Sequence, residues 1–369
     1  MPGGKHTTPQ SPEVAKISQA TAICLDLMRG RMHRGAVNKC VNLLVHYPEG
    51  CSANCAYCGL AKKRQGAYLE KSFIHVDWPV FSMDRIIEAV NRSPSYVERS
   101  CISMITNGKC RDATFRMTRR LSDETSLSVS VLVAPTSLKE GDLEILKECG
   151  ADKIGVAVDL ATPELFDLYR GTGVRGPHRW STYWSILHQA LAVFGSPHVG
   201  VHLMVGMGER EEELVSFMGN AWGMGFVTHR FSFFAEENSA LADRPQPPWP
   251  SYLRVQLARH LIEENLSRFD DMRFDKEGRI ADFGVAARDL EAEILSGTPF
   301  MTTGCLGPGG EVACNRPFGN CLPDVKQWNY PYRPNDEEIS LIREHLAERE
   351  GTDDSKSSEN GKPLKRAAR

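Results

Sequence analysis

Between Val41 and Phe234 the sequence alternates six short runs of β-branched, aliphatic and aromatic residues with longer amphipathic stretches. The runs are Val41–Tyr47, Cys101–Ile105, Leu127–Val133, Lys153–Val158, Val199–Val205 and His229–Phe234. Helices are predicted over Met83–Val90, Leu138–Cys149, Pro163–Arg170, Thr182–Phe194 and Glu211–Trp222. Short runs of this composition suit strands buried on both faces, and the intervening helices suit parallel crossovers. Right-handed βαβ crossovers then lead to an α/β fold, either an open doubly wound sheet or a barrel-like one. In both, reactive residues gather at the carboxyl ends of the strands. A cysteine-rich loop, Asn107, Asp159 and the turn Gly206–Glu209 all fall at such ends, which predicts one shared site.

The flanks are different in texture. Residues 1–12 read as a polar leader. A helix is expected from Pro12, along a stripe through Val14, Ile17, Ala20, Cys24 and Leu27, ended by Gly30 and Gly35. After Phe234 the chain is proline-rich, then helical from Leu253 to Asn265. A glycine-rich segment covers Met301–Pro323, a last helix runs from about Glu337 to Glu350, and 351–369 is polar enough to be disordered. The expected divisions are a leader and helix (1–39), a barrel (40–240), a carboxyl-terminal region (241–335), and a terminal helix with its tail (336–369).

Charge narrows the function. A net charge of -3 over 369 residues offers no electrostatic attraction for nucleic acid or an anionic membrane surface. No stretch approaches the roughly 18 apolar residues of a membrane span, and the leader lacks a signal-peptide core. A cytoplasmic location is expected.

Eleven cysteines is a high count for such a chain. Six fall in two groups, Cys51, Cys55, Cys58 and Cys305, Cys314, Cys321; Cys24, Cys40, Cys101, Cys110 and Cys149 are scattered and read mainly as plain buried thiols. Clustered cysteines in a large intracellular chain point to metal or catalysis. The first group, Cys51-Ser-Ala-Asn-Cys55-Ala-Tyr-Cys58, puts three thiolates in one loop after a strand. Four cysteines saturate an iron–sulfur cubane, so three leave one iron open to a small ligand. Structural zinc, with His46 as a fourth ligand on paper, is the alternative; zinc sites favour paired elements, and no second pair lies nearby.

The spacing C-x-x-x-C-x-x-C, with Tyr57 before the last cysteine, resembles the signature of the radical S-adenosylmethionine superfamily. The resemblance implies a partial (β/α)6 barrel of the radical SAM type with a carboxyl-terminal auxiliary-cluster segment. It also implies a [4Fe–4S] cluster on Cys51, Cys55 and Cys58 that reductively cleaves S-adenosylmethionine to a 5′-deoxyadenosyl radical. Tyr57 belongs to that cofactor site. Thr106-Asn107-Gly108 stands where the family has a turn contacting the methionine amino group. Asp159 stands where a carboxylate binds the ribose, with a helix cap before Pro163 as its other reading. Arg170 resembles the arginine that meets the methionine carboxylate in biotin-synthase-like members. Gly206 and Gly208 resemble the Gly-x-Gly-Glu turn after strand five.

The second group, with glycines that let backbone wrap an inorganic core, reads as a second, auxiliary iron–sulfur cluster on Cys305, Cys314 and Cys321, with zinc as the alternative. Its fourth ligand stays open among Arg316, sulfide and substrate. The segment Cys314-Asn-Arg-Pro resembles biotin-synthase-related proteins that act as a two-protein lipoyl synthase. That implies sulfur insertion into an octanoyl-lysine of a lipoyl-carrier protein, with the auxiliary cluster as sulfur donor. It also implies a low-potential electron donor such as ferredoxin or flavodoxin, and a second radical SAM protein as partner. Rivals are a biotin-synthase-like small-molecule sulfurtransferase, a peptide-modifying radical enzyme with a relay cluster, and a simple electron carrier.

Overall fold

The computed structural model describes residues 8–66, 71, 76–319, 321–324 and 326–348. Its strands are β1 (Val14–Ile17), β2 (Cys40–Val45), β3 (Val80–Ser82), β4 (Arg99–Ser103), β5 (Ser128–Val133), β6 (Ala151–Asp159), β7 (Val199–Val205) and β8 (Val227–Ser232). They form one sheet in the order β3-β1-β2-β4-β5-β6-β7-β8. From β2 onward neighbours run parallel in chain order, while β1 pairs antiparallel with both β2 and β3. This is the expected α/β architecture, a mostly parallel sheet curled as a partial barrel.

The helices follow the strands as crossovers: α1 (Gln19–Cys24), α2 (Met83–Asn91), α3 (Cys110–Glu124), α4 (Asp142–Glu148), α5 (Pro163–Tyr169), α6 (Trp180–Phe194) and α7 (Glu211–Gly223). Alternation along each strand decides what faces them. Val129, Val131 and Val133 of β5, Ile154, Val156 and Val158 of β6, and Val199, Val201, Leu203 and Val205 of β7 join the hydrophobic core with apolar residues of these helices. The opposite parity lines an interior cavity: Ser130 and Leu132, Gly155, Ala157 and Asp159, His202 and Met204. The interior is therefore left open where a filled barrel would carry packed layers of bulky aliphatics.

Beyond β8 come α8 (Trp249–Glu263), the hairpin β9 (Arg273–Phe274) with β10 (Ile280–Asp282), α9 (Ala287–Ser296) and α10 (Asp336–Ala347). The glycine-rich segment between α9 and α10 covers the amino ends of β2 and β4. Arg99 Nε donates to the Leu306 carbonyl at 3.1 Å, Asn315 Nδ2 to the Val37 carbonyl at 2.7 Å, and Lys39 N–H to Asn315 Oδ1 at 2.9 Å.

Several sequence expectations are corrected. Residues Val14–Ile17 form a strand, not the start of a helix, because pairing on both sides with β2 and β3 outweighs a loose helical stripe. The helix begins only at Gln19, where the Ser18 hydroxyl accepts from Thr21 N–H at 3.2 Å. The helix expected at Leu138 starts at Asp142, after Gly141 in the left-handed region. Helices α3 and α9 and the β9–β10 hairpin had no sequence expectation; α3 is so charged that its buried stripe of Ala113, Met117 and Leu121 is hidden. The leader is described only from residue 8, and the tail at 351–369 lies outside the described residues.

Candidate active site

The chain leaves β2 at Val45 and enters the first cysteine loop, which neighbouring elements fasten. Ser52 N–H donates to the Thr106 carbonyl at 2.7 Å, and Asn107 Nδ2 to the Gly50 carbonyl at 3.0 Å. Ala56 N–H donates to the Tyr169 carbonyl at 2.8 Å, and Asn54 Nδ2 to the Val174 carbonyl at 3.0 Å. The loop is thus held from the end of β4 on one side and from α5 on the other.

Cys51 acts on both Cys55 and Cys58. Burial pushes the Cys55 thiol up to about 11, with Arg170 pulling down and Cys51 adding to the rise. Burial, then Cys55 and Cys51, pushes Cys58 well above the ordinary thiol range. Leu60 N–H points at Cys58 Sγ from 3.4 Å, a donor suited to a thiolate. Three thiols on one fastened loop, with a backbone donor at Cys58, fit an iron–sulfur cluster, whose binding would drive out their protons.

Next to them is a buried triad. Tyr57 Oη donates to Asp159 Oδ2 at 2.6 Å, and Arg170 Nη1 donates to the same oxygen at 2.6 Å. Arg170 also donates to the Ala157 and Val158 carbonyls and lies over the Tyr183 ring, 4.8 Å from its centroid. Asp159 adopts φ 69° at the end of β6. Its reading as a helix cap does not apply: the α5 cap is Thr162, whose hydroxyl accepts from Leu165 N–H at 3.2 Å.

Asn107 lies in the turn after β4, and Gly206 and Gly208 in the turn after β7. Asn107 spends its amide on the turn, accepting from Lys109 N–H at 2.9 Å as well as donating to Gly50. Gly206 and Gly208 have φ of 105° and 114°, and the Glu209 carboxylate accepts from Gly206 N–H at 2.6 Å and Met207 N–H at 2.9 Å. The expected turn exists, held by its own acid. Of the six expected cofactor residues, Tyr57 and Asp159 line the interior cavity; Asn107, Arg170, Gly206 and Gly208 do not.

That cavity has a volume of about 240 Å³. At its strand-end mouth are Tyr57, Cys58 and Asp159; deeper are His202 and His229; at its base are Asn42, Cys101, Ser130, Cys305, Cys314 and Arg316. Along β6, Asp159 stands six residues above Lys153, the register partner of Ser130, about 20 Å at the usual strand rise. Gly155 and Gly200 make room for the imidazoles: a Cβ on Gly200 would lie 2.9 Å from His229 Nε2. Burial lowers His202 to about 4, so it is neutral at physiological pH.

The second cysteine group has two further thiols beside it. Cys314 makes thiol contacts with both Cys101 and Cys40, and Cys305 feels Cys101 next to it. Cys40 and Cys101, read as plain thiols, thus lie beside Cys314. Cys321 lines the same cavity, its thiol donating to Gln327 Oε1 at 3.4 Å. Sequence reasoning missed the pair because nothing local marks them; the usable signal is strand register, which puts Asn42 beside Cys101 with Cys40 two residues below. Cys24, Cys110 and Cys149 lie elsewhere, against Asn38, Thr114 and Arg119. Among the described residues, no three His, Cys, Asp or Glu side chains are gathered as a ready site for a single metal ion. No described helix is long and apolar enough to cross a membrane.

Residues 45–219 match the family model described as the Radical SAM superfamily. No curated protein matches the chain. Similar solved structures include HydG, a maturase of the [FeFe]-hydrogenase, at 14% identity and TM-score 0.45, covering 61% of this chain and 49% of that one. HydG from Carboxydothermus hydrogenoformans is 14% identical over 84% of this chain and 77% of its own, at TM-score 0.45. The radical S-adenosylmethionine methyltransferase TsrM from Kitasatospora setae is 14% identical over 79% of this chain and 60% of its own, at TM-score 0.41. This chain spans about half the length of the first of these.

Proposed function

We propose, on the premise that residues 45–219 are a Radical SAM superfamily domain, that this chain inserts sulfur at an unactivated carbon, and that its substrate is an octanoyl-lysine on a lipoyl-carrier protein. The observation that carries the reading is the single cavity lined by Cys58, Tyr57 and Asp159 at one end and by Cys101, Cys305 and Cys314 at the other. A substrate between them would meet a radical source and a second sulfur-bearing centre without leaving the barrel.

When bound, a [4Fe–4S] cluster and S-adenosylmethionine supply the reductive radical chemistry. The chain's own residues do the holding. Cys51, Cys55 and Cys58 provide the thiolates. Tyr57 and Arg170 fix Asp159 so that its remaining acceptor capacity faces the cavity, suited to a ribose hydroxyl. Leu132, Met204, Phe231 and Phe234 provide apolar wall that keeps water from a reactive intermediate and suits an acyl chain. A ferredoxin- or flavodoxin-like donor and a second radical protein belong to this reading as partners.

A second reading, sulfur insertion into a free small molecule, is favoured by the contribution of barrel-strand Cys40 and Cys101 to the second thiol group. The test is anaerobic incubation with dithionite, S-adenosylmethionine and either an octanoylated carrier peptide or a free desthio acid, followed by mass spectrometry. Added sulfur on the peptide supports the first reading and on the free acid the second. Cys314→Ala should still release 5′-deoxyadenosine but add no sulfur. Absence of cofactor cleavage by reconstituted protein would overturn both.

A further inference from the structure

We propose that Cys40, Cys101, Cys305 and Cys314 together ligate an iron–sulfur cluster at the base of the barrel, and that Cys321 is not a ligand. The inference rests on the reading above that a second cluster exists, and goes on to name its ligands.

Three separate stretches of chain bring these thiols together. Cys40 opens β2, and Cys101 lies two residues into the adjacent β4. Cys305 and Cys314 arrive on the carboxyl-terminal loop, side by side: Ala313 and Cys314 N–H both donate to the Cys305 carbonyl, at 2.9 and 3.0 Å. Backbone there is so close that a Cβ on Gly304 would lie 1.8 Å from the Cys314 carbonyl oxygen. Cys314 stands between Cys40 and Cys101, and Asn42 Nδ2 points at its sulfur from 3.7 Å. Cys40 is fully buried, and the residual exposure of the other three faces the cavity.

The surroundings suit anionic sulfur. Four thiolates carry four negative charges, and an unpaired charge is costly in a dry interior. Three cations ring this group. Arg99, fully buried, acts on Cys40 and Cys305; Lys153 acts on Cys305; Arg316 acts on Cys314, Cys101 and Cys40. Arg99 is aimed by Asp152, at 2.5 and 2.7 Å, and by the Leu306 carbonyl. Cys321 lines the same cavity, but its thiol is engaged with Gln327 and its electrostatic partners are Asp324 and Tyr252 rather than the other thiols.

The test uses full-length protein carrying Cys51→Ala, Cys55→Ala and Cys58→Ala, so that only the second site remains. It is reconstituted without air from ferrous iron and sulfide, and iron, sulfide and zinc are counted. The parent should hold about two to four irons per chain, according to cluster type. Adding Cys40→Ser, Cys101→Ser, Cys305→Ser or Cys314→Ser should each cut that iron several-fold, whereas Cys321→Ser should leave it unchanged. Independently of folding, loading the parent should slow alkylation of those four cysteines and leave Cys24 and Cys321 at their unloaded rates. Iron lost on Cys321→Ser but kept on Cys40→Ser would overturn the ligand set while the second cluster survives. A parent that binds no iron, takes up zinc instead, or forms a Cys40–Cys314 or Cys101–Cys314 disulfide overturns the second cluster itself.

Discussion

Arg170 shows how little of a residue's role its own position in the chain reveals. The sequence put it at the end of a helix near the site, and the structure turns it inward onto Asp159 and two β6 carbonyls. Arg170→Met removes the charged donor and leaves the carboxylate with Tyr57 alone. Loss of a charge-assisted hydrogen bond is worth about 1.5–3 kcal/mol. Reconstituted Arg170→Met should therefore bind S-adenosylmethionine roughly 10- to 100-fold more weakly, by equilibrium dialysis. His178 is a second buried group. Burial, with Arg170 and Arg179 adding, lowers it to about 3, and the Thr136 and Tyr183 hydroxyls lie 2.7 and 3.0 Å from its Nδ1. Its folded value lies below the unfolded one of about 6.5, so the unfolded chain takes the proton first. The stability it lends is complete above pH 6.5 and drains away as pH falls toward 3. The slope of unfolding free energy against pH in that window should shrink in His178→Gln by up to about 1.4 kcal/mol per unit, measured by urea titration.

Elements were legible where their chemistry is local. β7 matches its expected bounds, and α2, α5, α6 and α7 follow theirs closely, because capping residues and continuous apolar runs are local signals. β1 and α9 were not legible, since the first depends on partners distant in sequence and the second is mostly exposed. Thr162→Ala should cost about 1 kcal/mol by removing the α5 cap. Because α5 carries Tyr169, whose carbonyl holds the first cysteine loop, the same variant should lose its first cluster faster in air, followed by visible absorbance. Gly304→Ala forces apart the strands of the Cys305–Cys314 loop. Iron counting should find the proposed second cluster lost and the iron on Cys51, Cys55 and Cys58 retained.

Across the whole molecule, the carboxyl-terminal region is bound to the barrel by buried polar links. Arg254 of α8 forks onto Glu211 at the start of α7, at 2.6–3.1 Å, and Glu211 also accepts from Ile280 N–H of the hairpin at 2.8 Å. Breaking one side of such a pair strands a buried charge. Arg254→Leu should therefore lower stability by about 3–5 kcal/mol, read from the shift in denaturant midpoint. The pair joins elements far apart in the chain, so the barrel and its carboxyl-terminal region should unfold in one step.

Sequence alone determined the six-fold strand–helix alternation, the parallel sheet and the Cys51–Cys55–Cys58 loop at a strand end. Each depends on residues within a few positions of one another, where periodicity, caps and thiol spacing act directly. Only the tertiary structure decided that Arg170 serves Asp159 and that Cys40 and Cys101 come to lie beside Cys314. Those outcomes depend on strand register and on a loop that returns across more than two hundred residues to close the barrel. No local propensity encodes which side chains meet there.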